Sequence, residues 1–269
     1  MNRTLQTWVN GLGIWTPGLP NWAAWQALCQ GSGTLDDTAP ARPQPARLAA
    51  GERRRVSTHV LAAIEVADQA VAMSGHDGGE LPCIFASAYG DLGIMDYMCA
   101  VLADTPQHLS PTRFHNSVHN AAAGYWTIAS HCHAGSQAIA AAQSTFGAGL
   151  LEAAVLARAD DHPVLLVVHD DPGSGPLAEA MHVDQSFACA LVLSPHASAA
   201  NTPRLDLALV DNAAKPTPPQ HPFAAHLTAN NPSAKGLALL EALATGATGR
   251  VTLAAAPNLG LDIAITRPL

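Results

Sequence analysis

Residues 136–159, SQAIAAAQSTFGAGLLEAAVLARA, constrain the fold more than any other stretch of the chain. The small, apolar run 136–142 is a strand candidate, bounded upstream by Ala134-Gly135. A helix candidate follows with no loop between, starting at Ser144, whose hydroxyl suits an N-terminal cap. Helical spacing puts Phe146, Leu150, Ala153, Ala154 and Ala157 on one face. A strand that turns straight into a helix projects its turn residue from the end of a sheet. There it meets free N–H groups and the positive end of a helix dipole. Enzymes place nucleophiles at such elbows, but here the turn residue is Gln143, and a carboxamide is not a nucleophile of that kind.

The flanking chain sets the class. Asp160, Asp161 and Pro163 stop the helix, and the continuous apolar run VLLVV at 164–168 marks an interior parallel strand. Upstream, Leu5, Thr7 and Val9 alternate with polar or bulky neighbours as a strand does, before Gly11-Leu12-Gly13 and a turn through Pro17, Gly18 and Pro20. A short helix over 21–30 carries Trp22, Trp25 and Leu28, and 31–49 reads as a Gly- and Pro-rich loop. Residues 52–74 have the longest helical pattern, with Val56, Val60, Ala63, Ile64, Ala67, Ala70 and Val71 in phase. A buried strand over 81–86 and a helix over 91–103, with Met95, Met98, Val101 and Leu102 on one face, lead to the polar group His115, Asn116, His119 and Asn120. Asn116 is placed to cap the next helix, with His119 and Asn120 in its first turn.

The resulting alternation of strands and helices predicts an α/β fold with a mixed sheet and helical crossovers. After it come strand patterns at 187–193 and 204–210, a Pro-rich linker at 213–222, and a helix opened by Asn231-Pro232 and closed at Gly246. Two further strands, 251–254 and 261–265, flank a hairpin turn. Residues 1–211 are expected to form the main domain, and 212–269 to complete it as linker, helix and hairpin.

Composition excludes several classes. A net charge of −8 gives no footprint for nucleic acid, and the one basic cluster is Arg53-Arg54-Arg55. Five cysteines without CxxC spacing argue for a reducing compartment. No apolar run nears the roughly 20 residues that span a bilayer, and no signal core opens the chain, so a soluble, cytoplasmic protein is expected.

Three chemical readings fail on spacing. His131-Cys132-His133 would put both imidazoles on one face of a strand, but no second ligand cluster accompanies them, so no metal is expected. AAQSTFG lacks the glycine that a GxSxG elbow needs before its serine. Gly11-Leu12-Gly13 lacks the third glycine of a dinucleotide loop.

Taken together, several stretches resemble the N-terminal half of a β-ketoacyl synthase of the thiolase-like superfamily. VNGLGIWTPGLPNWAAWQALCQG is similar to that family's opening strand, Thr-Pro turn and Trp-containing helix. GERRRVSTHVLAAIEVADQAV is similar to its first long helix, FASAYGDL to the following strand and turn, NSVHNAAAG to its Asn and Ala-Gly helix, and SFACALVL to the strand closing that half. The resemblance covers residues 3 to about 211. Gln143 stands at the same offset from Ala123-Gly124 as the family's nucleophilic cysteine. The glycines expected after VLLVV are replaced by His169 and Asp170, and nothing after 211 matches the half that carries the family's two active-site histidines.

The resemblance implies that no residue here is a condensing nucleophile, since without a thiolate there is no thioester intermediate. Glutamine at that position resembles chain length factors, and the wording SPTRFHNSVHNAAAGYW resembles the short ones of aryl polyene pigment clusters. By that resemblance the expected partner is a full-length β-ketoacyl-ACP synthase, in a heterodimer whose shared acyl tunnel serves chains held on acyl carrier protein. No cofactor is implied. Tunnel-proximal candidates are Met95, Met98, Phe114, Tyr125 and Ile128, and interface candidates are His131, His133, Ser136, Gln137, Ala138, Ile139 and Ala140. The alternatives are a malonyl-ACP decarboxylase, in which Gln143 would bond a thioester or enolate oxygen, and a non-catalytic homodimeric acyl-binding protein.

Overall fold

The computed structural model describes residues 4–211 and 215–268. Its frame is strand β1 (Leu5–Trp15), far longer than the alternation at 5–9 suggested, because Gly11 and Gly13 lie inside it. These glycines do not make a turn. A Cβ on Gly11 would sit 2.0 Å from the carbonyl oxygen of Ala70, and one on Gly13 2.2 Å from that of Val66. Their bare backbones let the helix α3 (Thr58–Ser74) lie directly on the strand.

The remaining elements in chain order are α1 (Trp22–Cys29), α2 (Ala50–Arg53), α3, β2 (Cys83–Ala86), α4 (Leu92–Asp104), α5 (Pro111–His115), α6 (Ala121–Ala129), β3 (Ser136–Ile139) and α7 (Thr145–Ala159). Then follow β4 (Val164–Asp170), α8 (Gly175–Met181), β5 (Phe187–Ser194), β6 (Arg204–Asp211), α9 (Pro222–Asn230), α10 (Leu237–Thr245), β7 (Gly249–Ala256) and β8 (Leu259–Thr266). Among the described residues eight strands form one mixed sheet in the order β3-β2-β4-β5-β1-β6-β8-β7. Only β3, β2 and β4 run parallel, with Phe85 opposite Ala138 on one side and Val167 on the other.

The VLLVV run sorts its side chains as a buried strand must. Val164, Leu166 and Val168 join a core with Ile84, Leu191, Leu207 and Ile263 beneath residues of α1, α7, α9 and α10. Leu165 and Val167 join a second core with Phe85 and Val192 beneath α3 and α6. The result is the helix–sheet–helix layering of an α/β fold.

Several expectations shift. The helix pattern at 52–74 is two helices. Ser57 Oγ accepts from the Val60 amide and caps α3, while the Arg42 guanidinium takes up the carbonyls of Arg53 and Val56 at the break. On α4 the buried side is Leu92, Ile94 and Asp96, whereas Met95 and Leu102 are 40% and 52% exposed. Asp96 is buried because its carboxylate accepts from the Ser174 and Leu177 amides, at 3.0 and 3.1 Å, and so anchors the start of α8.

In the tail, Asn231 caps a 3-10 turn at Pro232–Gly236, and α10 ends at Gly246 in the left-handed conformation, φ +73°. Helix α9, unmarked in the sequence pattern, and the longer hairpin β7–β8 complete the core. The linker expected at 213–222 falls partly on 212–214, outside the described residues. The sheet bends round α7, so that a Cβ on Gly147 would meet the Ala254 carbonyl at 2.1 Å. In the same way the ring of Phe146 fills the space over Gly236. Among the described residues no helix is long and apolar enough to cross a membrane.

Candidate functional site

The strand β3 stops at Ile139, three residues short of the expected end, and the chain turns through a 3-10 segment at Ala142–Ser144. Thr145, not Ser144, closes the elbow. Its hydroxyl accepts from the Ala141 amide at 3.0 Å and donates to the Ala142 carbonyl at 2.7 Å, whereas Ser144 makes no capping bond. Ala142 is held at φ +47°, a left-handed conformation that costs an alanine about 1–2 kcal/mol. Strain of this kind persists only where the surroundings fix the backbone. Gln143 follows directly and is exposed, its Nε2 donating to the Tyr89 hydroxyl at 3.0 Å.

Tyr89 belongs to the loop from β2 to α4, and that loop is held from behind. The Asp170 carboxylate, at the end of β4, accepts from Ser87 Oγ at 2.8 Å, from the Ala88 amide at 3.0 Å and from the Tyr89 amide at 3.4 Å. It also accepts from Ser233 Oγ of the tail, and its own carbonyl accepts from Asn231 Nδ2. The residue is 3% exposed. Burial pushes its carboxyl above the ordinary range, and the Ser233 and Ser87 hydroxyls pull it back.

Next to it, the His169 ring lies 4.2 Å from that of His59. Burial first, then His59 and His119, hold the His169 imidazole well below its usual pKa, so it is neutral. His119 Nε2 lies 3.0 Å from the Ser87 carbonyl, on the other side of the same loop. The sequence signals for this cluster are His169 and Asp170 in place of the expected glycines, His119 in the polar group before α6, and the FASAYGDL turn that carries Ser87 and Tyr89. The sequence alone assigns no role to Tyr89, His59 or Ser233.

A second feature is an apolar cleft of about 250 Å³ lined by His115, Asn116, Val118, Ala121, Tyr125 and Ile128, among others. The Tyr125 hydroxyl donates to Asn116 Oδ1 at 3.0 Å. Asn116 is therefore the buried end of α5 rather than a cap for α6, which starts five residues later. Of the five tunnel candidates, Tyr125 and Ile128 meet in this cleft. Met95 and Met98 lie on α4 and do not line it, nor does Phe114. Ile128 and Phe114 are 72% and 58% exposed.

Of the interface candidates, His131, His133, Ser136, Gln137 and Ala140 are exposed, and Ala138 and Ile139 half-buried. His131 and His133 do not share a strand face. They lie in the turn after α6, with His131 at φ +54°. Among the described residues no three potential ligands converge on a metal site. Burial pushes Cys83 up to about 12 and raises Cys189 likewise, and Cys132 donates to the Leu81 carbonyl.

The edge at β3 has a definite hydrogen-bonding character. The carbonyls of Gly135 and Ile139 accept from β2, at the Cys83 and Ser87 amides. In a parallel ladder the alternate residues face the other way. Ser136 and Ala138 therefore turn their amide and carbonyl groups outward, with no strand of the described residues beyond them in the sheet. The opposite edge is covered, since the Thr217 amide bonds the Thr252 carbonyl of β7 and Thr217 Oγ1 accepts from the Thr252 amide.

Known proteins agree with this architecture. The sequence model described as beta-ketoacyl synthase, N-terminal domain, matches residues 22–256, past the limit of 211 to which the resemblance was traced. A structure of the ketosynthase ApeO in complex with its chain length factor ApeC, from Xenorhabdus doucetiae, superposes with a TM-score of 0.72 at 21% identity, covering 97% of this chain and 99% of the matched one. The ishigamide ketosynthase/chain length factor gives 0.72 at 11% identity, over 98% of this chain and 100% of the other. The AntDE:AntF complex, an acyl-carrier protein with its ketosynthase, gives 0.69 at 14% identity, over 98% and 99%. No curated protein sequence matches. With a mixed eight-stranded sheet, a strand-to-helix elbow at Gln143 and a family match over most of its length, the chain belongs to the β-ketoacyl synthase family, with the thiolase-like fold of its N-terminal domain.

Proposed function

We propose that this protein is a chain-length-factor-like subunit. It makes no bond itself, but pairs with an active, full-length β-ketoacyl-ACP synthase and shapes the acyl tunnel of the pair. The observation that carries the reading is Gln143, which occupies an intact, strained elbow with its amide tied to Tyr89. A carboxamide there preserves the geometry of a nucleophile site without the nucleophile. The surface round it supports a docking role. The bare outward groups of Ser136 and Ala138 suit pairing with another strand. Exposed Phe114, Val118 and Ile128 supply apolar area of the kind that protein interfaces bury. Acyl carrier protein would then meet the complex through the partner, and polyene or polyketide chains are the class of product served.

The test is co-expression with a full-length β-ketoacyl-ACP synthase from the same organism. The reading predicts a stable 1:1 complex that condenses carrier-bound acyl chains, while this chain alone does not. A stable homodimer that ignores the ketosynthase would sink it.

A further inference from the structure

Asp170 lies behind the elbow rather than in it, and it bonds two parts of the chain that are far apart in sequence. One is the loop after β2, gripped through the Ser87 hydroxyl and the Ala88 and Tyr89 amides. The other is the tail, gripped through Ser233 Oγ and, at the Asp170 carbonyl, through Asn231 Nδ2. Asn231 extends the junction by donating also to the Gln185 carbonyl at 2.9 Å. The loop in turn carries Tyr89, whose hydroxyl receives the Gln143 amide. A path of single hydrogen bonds thus runs from Ser233 through Asp170 and Tyr89 to Gln143.

We propose that Asp170 is a positioning residue, which sets the orientation of the Tyr89–Gln143 pair and makes it depend on the docking of the segment 231–236. A buried carboxylate with four donors from two segments is a rigid junction, because releasing either segment leaves charge or amide unpaired in the interior. A purely packed contact would not have this property. The consequence for product length rests on the function proposed above; the coupling itself does not.

Amide exchange on the isolated chain tests the coupling. Ser233→Ala removes one donor on the tail side of the junction and leaves the loop-side bonds to Asp170 in place. It is expected to speed exchange at least tenfold in 87–90 as well as in 231–236, with the central strands β4 and β5 unchanged. Acceleration confined to 231–236 would overturn the proposal.

A second measurement reads the elbow in the complex with the ketosynthase. Asp170→Asn keeps the side chain's size, and is expected to shift the product-length distribution in the native background but not in a Tyr89→Phe background. Additive shifts would show that Asp170 does not act through Tyr89. If the exchange coupling holds but no ketosynthase complex forms, the coupling stands and the proposed function fails.

Discussion

Gly13 shows how much one hydrogen atom can decide. The backbone of α3 lies so close to β1 that an added Cβ would overlap the Val66 carbonyl, which cannot swing aside as a side chain can. Gly13→Ala is expected to lower stability by about 3 kcal/mol, as overpacking against backbone does. Denaturant unfolding would show a lower midpoint with an unchanged slope. Neither this glycine nor Gly11 declared its role in the sequence. A Gly-x-Gly reads locally as a turn, and the partner that demands it lies some fifty residues away.

His169 makes a prediction of definite sign. Its folded pKa is held below the unfolded value of about 6.5. The unfolded chain therefore takes up a proton that the folded chain refuses. This contribution to stability is complete above about pH 6.5 and is lost as pH falls toward the folded pKa, at up to about 1.4 kcal/mol per pH unit. Thermal unfolding across pH 5–8 should show that decline, and His169→Gln should flatten it.

Among the elements, the elbow was the most legible. The apolar phase of α7 predicted its buried residues correctly, because a helix packed on a sheet must keep one stripe inward. Ser144 holds the cap position of α7 as expected, but its hydroxyl makes no capping bond; the neighbouring Thr145 hydroxyl ties the turn to Ala141 and Ala142 instead, a choice between two adjacent hydroxyls that only the turn's geometry makes. Helix α4 failed the other way. Its apolar residues are partly exposed, and an aspartate is buried to anchor α8, a contact about eighty residues distant in sequence.

The edge strand carries the sharpest test at this scale. Ala138 directs its amide away from β2, so proline there removes a donor the isolated chain does not use. Ala138→Pro is expected to change folding stability by less than about 1 kcal/mol, yet to weaken ketosynthase binding at least tenfold. Calorimetric unfolding together with a binding titration separates the two effects. Equal binding by both proteins would remove β3 from the interface.

At the scale of the whole molecule, the tail decides what the sheet can be. Strands β6, β8 and β7 extend it beyond β1, and the sheet bends until β7 meets the first turn of α7. Residues of α9 and α10 cover the same face, which closes the core on that side. The sequence marked α10 and the hairpin by Asn-Pro and Gly signals. It could not show that β7 and the turn at Pro232–Gly236 pack on the elbow helix, because that depends on the curvature of the full sheet. The same closure leaves one sheet edge bare, at β3, and the other screened by residues near Thr217.

Under the proposed function, β3 is the joining edge of a two-subunit assembly. The direct measurement is amide exchange at Ser136 and Ala138, with and without the full-length ketosynthase. Both amides are expected to exchange freely in the isolated chain and at least tenfold more slowly in the complex. A 1:1 complex in which both still exchange as in the free chain would contradict it.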